Sequence, residues 1–201
     1  MKKISHQLLL AAGLLIIIYS CASIGRLEGG PIDEEPPVFI GSTPEQAEVN
    51  SNRNKITIEF DEFIKLDKPG EKIVISPPQV QQPVIKANGK KVVVTLEDSL
   101  KPNTTYTIDF ADAIVDNNEG NPMGNYTYSF STGTEIDTME VAGKVLNAED
   151  LEPVKGILVG IYPIDSAFND SILRNKFFSR VFRTYGSGRF SIKGIKRCKY
   201  R

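Results

Sequence analysis

Apolar and polar residues alternate in five short segments between residues 55 and 130. In the first segment, single polar residues separate Ile56, Ile58 and Phe60. Successive side chains of a β-strand point to opposite faces of a sheet, so this period of two predicts antiparallel strands with one buried face. Segment 72–76 has the same pattern. In the other three segments the predicted core residues are Val92, Val94 and Leu96, then Tyr106, Ile108 and Phe110, then Tyr126, Tyr128 and Phe130.

Turn-forming residues separate these segments. Asn88-Gly89 predicts a hairpin between residues 84–87 and 92–96, because such a turn needs positive φ. Pro77-Pro78 and Gly120-Asn121-Pro122 interrupt the chain elsewhere. About seven short strands over residues 38–133 predict an all-β fold, an Ig-like antiparallel β-sandwich.

Further residues of this region resemble a known family. Leu100, Pro102 and Tyr106 resemble the tyrosine corner of Ig-like sandwiches, in which the tyrosine hydroxyl bonds to upstream backbone. The ordered series resembles the SbsA-type bacterial Ig-like domain, and its members are Ile56, Ile58, Phe60, Glu62, Leu100, Pro102, Thr104, Tyr106, Ile114, Asp116, Gly120, Asn121, Pro122, Phe130, Thr132 and Gly133. The resemblance implies a structural spacer domain of surface and secreted proteins, with no catalytic residues.

A polar linker at residues 134–140 precedes four more predicted strands, at 141–145, 156–162, 178–184 and 189–192. The series Thr184, Gly188, Phe190, Ile192, Ile195 and Tyr200 resembles carboxypeptidase-regulatory-like (transthyretin-like) sandwiches. That resemblance places Tyr200 at the start of a further strand. We therefore expect residues 141–201 to be a second, incomplete β-sandwich, truncated relative to its family. The alternative is a natural short variant whose edge is covered by residues 22–37 or by a partner.

The N-terminal residues resemble an export signal. Lys2 and Lys3 precede an apolar run at 8–19, which as a helix would span about 18 Å, less than the roughly 30 Å of a bilayer core. Residues 1–20 are thus predicted to be a signal peptide. Ser20 and Cys21 end a segment that resembles the lipobox of bacterial lipoproteins. The resemblance implies cleavage between Ser20 and Cys21 and a lipid on the Cys21 thiol; an ordinary secretory signal with an incidental cysteine is the alternative.

Acyl chains on Cys21 would hold the mature chain on a membrane, at about 0.8 kcal/mol per buried CH₂. Residues 21–37 contain Gly-Gly-Pro and Pro-Pro and are predicted to be a tether. No aspartate follows Cys21 directly, and resemblance to Gram-negative lipoproteins then favours the outer membrane. The sequence does not decide whether the chain lies on the periplasmic face or on the surface face of that membrane.

Composition excludes several classes of function. The chain has 24 Lys and Arg against 25 Asp and Glu, which argues against a nucleic-acid partner. The only histidine, His6, lies in the predicted signal peptide. A mature chain without histidine has neither a histidine-based catalytic triad nor a histidine-ligated metal site. We predict no catalytic residue, no metal site, no cofactor and, with Cys198 the only cysteine besides Cys21, no disulfide.

Three groups of charged residues have a structural interpretation. Residues 116–121 could form part of a calcium loop, but Asn and Gly at these positions favour a turn. Asp61, Glu62, Asp109 and Asp112 are expected to be solvated strand ends rather than a catalytic pair. We expect Arg180, Arg183, Lys196 and Arg197 to be solvated outer strand faces rather than a membrane or nucleic-acid contact.

Four sites fit a pattern of Asp, then Ser or Thr, then an apolar residue. The pattern resembles an O-glycosylation sequon of Gram-negative envelope proteins. The candidate acceptors are Ser99, Thr138, Ser166 and Ser171. An Asp-Ser pair is also an ordinary turn sequence, which is the alternative at each site.

These features predict a lipid-anchored, non-enzymatic envelope protein whose Ig-like domains serve a structural, spacer or adhesive role. Its partners would be the membrane, through the lipid, and an envelope protein or glycan. The alternative is a carbohydrate- or ligand-binding lipoprotein. Because the chain has no tryptophan, Tyr126, Tyr128 and Tyr185 would then have to stack on the sugar.

Overall fold

The first half of the chain folds into two antiparallel sheets that share one core. The computed structural model describes residues 33–164, 169 and 171–201. The strands of this half are β1 (Phe39–Thr43), β2 (Lys55–Phe60), β3 (Ile64–Leu66), β4 (Val74–Ser76), β5 (Val84–Asn88), β6 (Lys91–Thr95), β7 (Thr105–Ala111), β8 (Ile114–Asp116) and β9 (Tyr126–Ser131). One sheet has the order β1-β2-β6-β5 and the other β4-β7-β9, while β3 pairs with β8.

The alternating residues form the core, as the sequence predicts. Ile56, Ile58 and Phe60 of β2 are at most 1% exposed, and so are their counterparts on β6 and β7. Tyr106 stacks on Phe130 with ring centroids 5.2 Å apart, which joins β7 to β9. The period of two therefore identified β2, β4, β6, β7 and β9, whereas β1, β3 and β8 were not predicted by it.

The segment 72–76 differs from its predicted strand, whereas the hairpin between β5 and β6 agrees with the prediction. The segment 72–76 becomes a strand only from Val74, because a short helix, α1 (Pro69–Lys72), precedes it. The predicted hairpin between β5 and β6 is confirmed, but its two turn residues are Gly89 and Lys90, because Asn88 pairs with Lys91 in the ladder. Gly89 has a φ of 64°. Positive φ at this position is the reason that the turn needs glycine.

The second half consists of two two-stranded antiparallel sheets. Its elements are β10 (Met139–Lys144), β11 (Leu158–Ile161), α2 (Ile172–Asn175), β12 (Arg180–Arg183) and β13 (Arg189–Ile195). β10 pairs with β13, and β11 pairs with β12. Ile161, Phe182, Ile192 and Ile195 form a small buried cluster between them. The whole fold is therefore all-β, as predicted.

Residues 199–201 also pair with the chain before them. The backbone N–H of Tyr162 donates to the carbonyl of Arg201 at 2.8 Å, and the Ile164 N–H donates to the carbonyl of Lys199 at 2.8 Å. Tyr200 thus lies opposite Pro163 in an antiparallel bridge. This bridge continues the line of β11 beyond Ile161.

Both faces of β7 are buried, although alternation predicted only one. Thr105 and Asp109, on the face away from the sandwich core, are 1% and 4% exposed. Strand β12 packs against β4, and β13 packs against β7. The second half therefore covers the outer face of the β4-β7-β9 sheet, and residues 33–201 form one compact unit.

Candidate functional site

The contact between the two halves, which we call the junction, is made by β4, β7 and β9 on one side and β12, β13 and Tyr185 on the other. The backbone N–H of Val181 donates to Ser76 Oγ at 3.2 Å, across 105 positions of sequence. Ser76 is 3% exposed and Val181 is 7% exposed. A hydrogen bond at this depth replaces the solvent that both groups have lost.

Asp109 is the central acid of the junction. Its carboxylate accepts a hydrogen bond from the Tyr185 hydroxyl, 3.2 Å from each oxygen. The hydroxyl of Thr127 donates to it at 3.2 Å, and the Ala111 N–H donates at 3.3 Å. Burial raises the pKa of Asp109, and these three hydrogen bonds partly oppose that rise. The expectation of a solvated strand end is therefore wrong for Asp109.

Arg180 is the buried cation of the junction. Its Nε donates to the carbonyl of Gly194 at 2.9 Å, and its Nη2 lies 3.8 Å from Asp137 Oδ2. Burial lowers the pKa of Arg180, and Asp137 opposes this. The expectation of a solvated outer face is wrong here, because that face of β12 turns toward the first half. Lys196 and Arg197 are exposed as expected, although Lys196 Nζ donates to the carbonyl of Asn103 at 2.7 Å.

Gly194 allows the backbone of β13 to approach β7 closely. Its φ is +69°, and a Cβ at this position would lie 2.9 Å from Thr107 Cγ2 and 3.2 Å from Thr105 Cγ2. A larger residue would be strained by the positive φ, and its Cβ would clash with these methyl groups. The linker is fastened at the same place, since the Asp137 N–H donates to Thr105 Oγ1 at 2.9 Å.

The sequence alone does not reveal the junction. The residues that meet there, Asp109 and Tyr185 above all, lie on different predicted strands or turns and share no motif. The one available signal was Gly194, a glycine inside a predicted β-rich segment, which often marks a close backbone approach. A glycine at position 194 does not indicate which strand approaches it.

The tyrosine corner is confirmed. The backbone N–H of Lys101 donates to the Tyr106 hydroxyl oxygen at 2.8 Å. Thr132 Oγ1 donates to the Lys101 carbonyl at 2.7 Å and accepts from the Thr104 N–H at 3.0 Å. The loop before β7 is therefore tied both to that strand and to the end of β9.

The turn at residues 116–121 is also confirmed. The Asp116 carboxylate accepts hydrogen bonds from the backbone N–H groups of Asn118, Glu119 and Asn121 at 2.7–2.8 Å. Burial raises the pKa of Asp116, but these hydrogen bonds lower it by more, so the pKa lies below its ordinary value. Among the described residues, no group of three His, Cys, Asp or Glu is arranged to hold a metal ion.

The other three acidic candidates have separate surroundings. Asp61 Oδ1 accepts from the Val38 N–H at 2.8 Å. Burial and the nearby Asp116 carboxylate raise the pKa of Glu62. Asp112 is exposed and lies 3.1 Å from Lys72 Nζ. Asp109 is thus the only one of the four candidates that the fold places in the junction.

A cleft of about 440 Å³ opens beside the junction, and we call it the junction cleft. Its ionisable or polar lining residues are Lys68, Glu71, Lys72, Asp112, Asn125, Lys155, Arg183, Thr184 and Tyr185. Lys72 is paired with Asp67 at 2.6 Å and with Asp112. Within the described part of the chain, Lys68 and Lys155 make no ion pair.

Arg183 adds a fourth cation to the junction cleft. Its Nη1 donates to the Gly156 carbonyl at 3.1 Å, whereas its buried Nε has no hydrogen-bond partner among the residues described. Four cations and the two carboxylates of Glu71 and Asp112 line the cleft, which leaves an excess of two positive charges. An anionic group entering the cleft would offset that excess.

The tyrosines proposed for sugar stacking are mostly unavailable. Tyr128 is fully buried and its hydroxyl donates to the Pro44 carbonyl at 3.0 Å. Tyr126 packs between Phe39 and Phe110 in the sandwich core, with ring centroids 5.6 Å and 5.9 Å away. The expectation that Tyr126 and Tyr128 stack on a ligand is therefore wrong, because their rings serve the core. Tyr185 alone lines the junction cleft.

The predicted modification sites divide into described and undescribed residues. Ser20, Cys21 and Ser166 lie outside the described residues, as do the signal peptide and most of the tether. Ser99, Thr138 and Ser171 are exposed, and their glycosylation stays a prediction. No helix in the described part of the chain is long and apolar enough to cross a membrane.

Comparison with known proteins identifies the first half. Residues 33–132 match the model of the bacterial Ig-like domain family. This is a non-catalytic domain type, typical of bacterial surface and envelope proteins. No curated protein matches the chain.

Three solved structures overlap with parts of the chain. The methionine-rich copper resistance protein PcoC from Escherichia coli is 19% identical, with a TM-score of 0.36 over 48% of this chain and 97% of that chain. An L,D-transpeptidase from Mycobacterium smegmatis is 13% identical, with a TM-score of 0.33 over 76% and 78%. The N-terminal part of the bacterial S-layer protein SbsC is 14% identical, with a TM-score of 0.32 over 80% and 42%. Likenesses this distant transfer no copper or transpeptidase chemistry to this chain.

Proposed function

We propose that the chain is a non-enzymatic spacer of the bacterial envelope, held at the outer membrane by a lipid on Cys21, which presents its two β-sandwich halves as one rigid body. The observation that carries the proposal is the junction. In it, the Asp109 carboxylate and the Arg180 guanidinium are both buried. Asp109 accepts a hydrogen bond from Tyr185 of the other half, and Arg180 lies 3.8 Å from Asp137 of the linker.

A spacer needs a fixed length, and the junction supplies it. Two sandwiches joined only by a seven-residue polar linker would reorient freely. Here the linker residue Asp137 is bonded to β7, and β12 and β13 pack on the outer face of the β4-β7-β9 sheet. A change in the angle between the halves would separate Asp109 from Tyr185 and Arg180 from Asp137, and a charge that stays buried without its partner is costly.

Rigidity can be measured by the distance between two spin labels. Cys198 is an exposed free cysteine in the second half, and Lys86→Cys places a second thiol on β5, with Cys21→Ser removing the thiol at residue 21. We expect a narrow distance distribution by double electron–electron resonance. A matched protein that also carries Tyr185→Phe and Arg180→Met should give a broader one. A broad distribution without these two substitutions would contradict the spacer proposal.

The membrane part of the proposal is tested separately. Metabolic palmitate labelling and membrane fractionation of the wild type and of Cys21→Ala address the anchor and the location together. We expect labelled wild type in the outer-membrane fraction and an unlabelled, soluble variant. Unmodified wild type in the cytosol with residues 1–20 still attached would refute it. The assignment of residues 141–201 to a carboxypeptidase-regulatory-like domain belongs to the same proposal.

The junction cleft supports a second candidate function, which is binding of an anionic saccharide. Its unpaired cations Lys68, Lys155 and Arg183 and the Tyr185 ring line one concave surface. Charged and aromatic groups that converge in a cleft are typical of ligand sites. This candidate is the ligand-binding alternative of the sequence, with the residues of the junction cleft in place of the buried Tyr126 and Tyr128.

A titration followed by NMR distinguishes this candidate from a purely structural role. Oligogalacturonate serves as the acidic saccharide and maltooligosaccharide as the neutral one. We expect only the acid to shift the amide signals of residues 155–156 and 183–186, and Arg183→Gln with Lys155→Gln to weaken binding about tenfold. Lys86→Gln, on β5, is the matched control. Equal shifts with both saccharides, or none, would reject the candidate.

A further inference from the structure

The edge of β10 carries no strand among the described residues. β10 pairs with β13 on one side only, and all six of its residues are exposed. Met139 and Val141 are 47% and 39% exposed. An open edge presents N–H and C=O groups that another strand can pair with.

The usual protections of an edge strand are weak in β10. It contains no proline, and the one register shift, between Met139 and Val141, places its extra residue on β13, because Met139 pairs with Ile195 and Val141 with Ile192. Two charged residues remain, Glu140 and Lys144. Charges oppose indiscriminate pairing, but two of opposite sign can also select one register.

From this arrangement we infer that β10 is a self-association edge, which pairs antiparallel with β10 of a second copy about a twofold axis at Ala142. In this register Glu140 of each copy lies opposite Lys144 of the other. Directly opposite residues of an antiparallel pair share a face and have Cβ atoms roughly 4.5–5.5 Å apart. The twofold axis forms this attractive pair twice.

Lys144 has a reason to attract an acid from a second copy. Within the chain it lies directly opposite Arg189 in the β10–β13 register, and like charges in this position are destabilising. Lys144 makes no ion pair in the described part of the chain. Glu140 of the second copy would approach Lys144 from the side away from Arg189 and offset the repulsion.

The opposite face of β10 is suited to the same register. Val141 would lie opposite Gly143 of the second copy. Gly143 is covered by the ring of Phe190, since a Cβ there would lie 2.7 Å from two of its ring carbons. Phe190 is half-buried. The exposed Val141 side chain would therefore meet an aromatic ring, and burial of both in the dimer favours association.

Charge reversal tests the register. Sedimentation velocity of the chain with Cys21→Ser, over a range of concentrations, should show a monomer–dimer equilibrium. Glu140→Lys or Lys144→Glu alone should weaken the dimer about tenfold, because each places two like-charged pairs in it. The two together should restore it. Lys86→Glu, on the edge strand β5 of the other half, is the matched control and should leave the equilibrium unchanged.

A second measurement keeps the test independent of any loss of folding in the charge variants. Ala142→Cys lies on the proposed axis and should form a disulfide-linked dimer on mild oxidation, with Cys21 and Cys198 replaced by serine. Gln81→Cys, outside the proposed interface, should not. A monomer at all concentrations, a double charge variant that stays monomeric, or Ala142→Cys without crosslinking would overturn the proposal. If β10 paired only with a strand of another protein, the purified chain would be a monomer, and the self-association proposal would be overturned.

Discussion

The Asp109 carboxylate and the Tyr185 hydroxyl lie 3.2 Å apart across the junction, although 76 residues separate them in the chain. Asp109 belongs to the bacterial Ig-like domain and Tyr185 to the second half. Their contact converts the outer, polar face of β7 into an internal surface. The stability of residues 33–201 should therefore depend on it.

Tyr185→Phe should lower the free energy of unfolding by about 1.5–3 kcal/mol, because it removes a hydrogen bond to a buried carboxylate. Urea denaturation followed by circular dichroism measures this change. Tyr200→Phe is the control, since its hydroxyl donates to the exposed carbonyl of Lys196, and its effect should be smaller. Equal effects of the two substitutions would show that the Asp109 contact adds no stability.

Asp109→Asn should alter how stability depends on pH. Burial raises the pKa of Asp109 above its ordinary 3.8, so the native state keeps the proton to higher pH than the unfolded state. The acid's contribution to stability is then present at low pH and is lost as pH rises through the native pKa. Compared with Asp109→Asn, the wild type should therefore lose stability as the pH rises above 3.8, which denaturation at several pH values measures. A constant difference between the two proteins would contradict the shift.

Asp116→Asn should change the pH dependence of stability in the opposite direction. Hydrogen bonds from the turn outweigh burial and lower the pKa of Asp116 below 3.8, so its contribution is present above that pH and is lost as pH falls through the native pKa. Asparagine keeps one acceptor oxygen, whereas Asp116 uses both. The stability advantage of the wild type should thus shrink on acidification, as thermal unfolding at pH 2–5 can test. An advantage that grows toward low pH would refute the assignment.

Gly194→Ala should cost more stability than Gly124→Ala. Both glycines have positive φ, at +69° and +88°, but a Cβ at Gly124 would meet nothing within 4 Å. The left-handed conformation costs alanine about 1–2 kcal/mol at either site. Overpacking against Thr107 should add about 1–3 kcal/mol at Gly194. Thr107→Ser removes the methyl group in question and should recover part of the loss; no recovery in urea denaturation would place the strain elsewhere.

Alternation along single strands was enough to predict five strands of the sandwich. It placed Ile56, Val92, Ile108 and Phe130 correctly because each strand reports its own buried face. The tyrosine corner and the Asp116 turn were also predictable, since both depend on residues within six positions of one another. These contacts are local, and local sequence determines them.

The junction was not predictable for the same reason. Asp109 has the spacing of a solvent-facing residue on β7, and nothing near it in sequence tells that Tyr185 will cover it. Arg180 alternates with apolar neighbours in the same way. Its partners, the Gly194 carbonyl and Asp137, lie on β13 and in the linker. The period of a strand identifies its two faces but not what packs on them.

The fastening of Asp137 to Thr105 changes how tension would pass through the molecule. A pull between residues 33 and 201 would not first straighten the segment 134–140, because this segment is bonded to β7 at its midpoint. The load would instead shear β12 and β13 along the outer face of β4 and β7, where the hydrogen bonds from Val181 to Ser76 and from Tyr185 to Asp109 must break together with the side-chain packing. The distance between residues 33 and 201 would thus stay nearly constant until the whole contact fails at once.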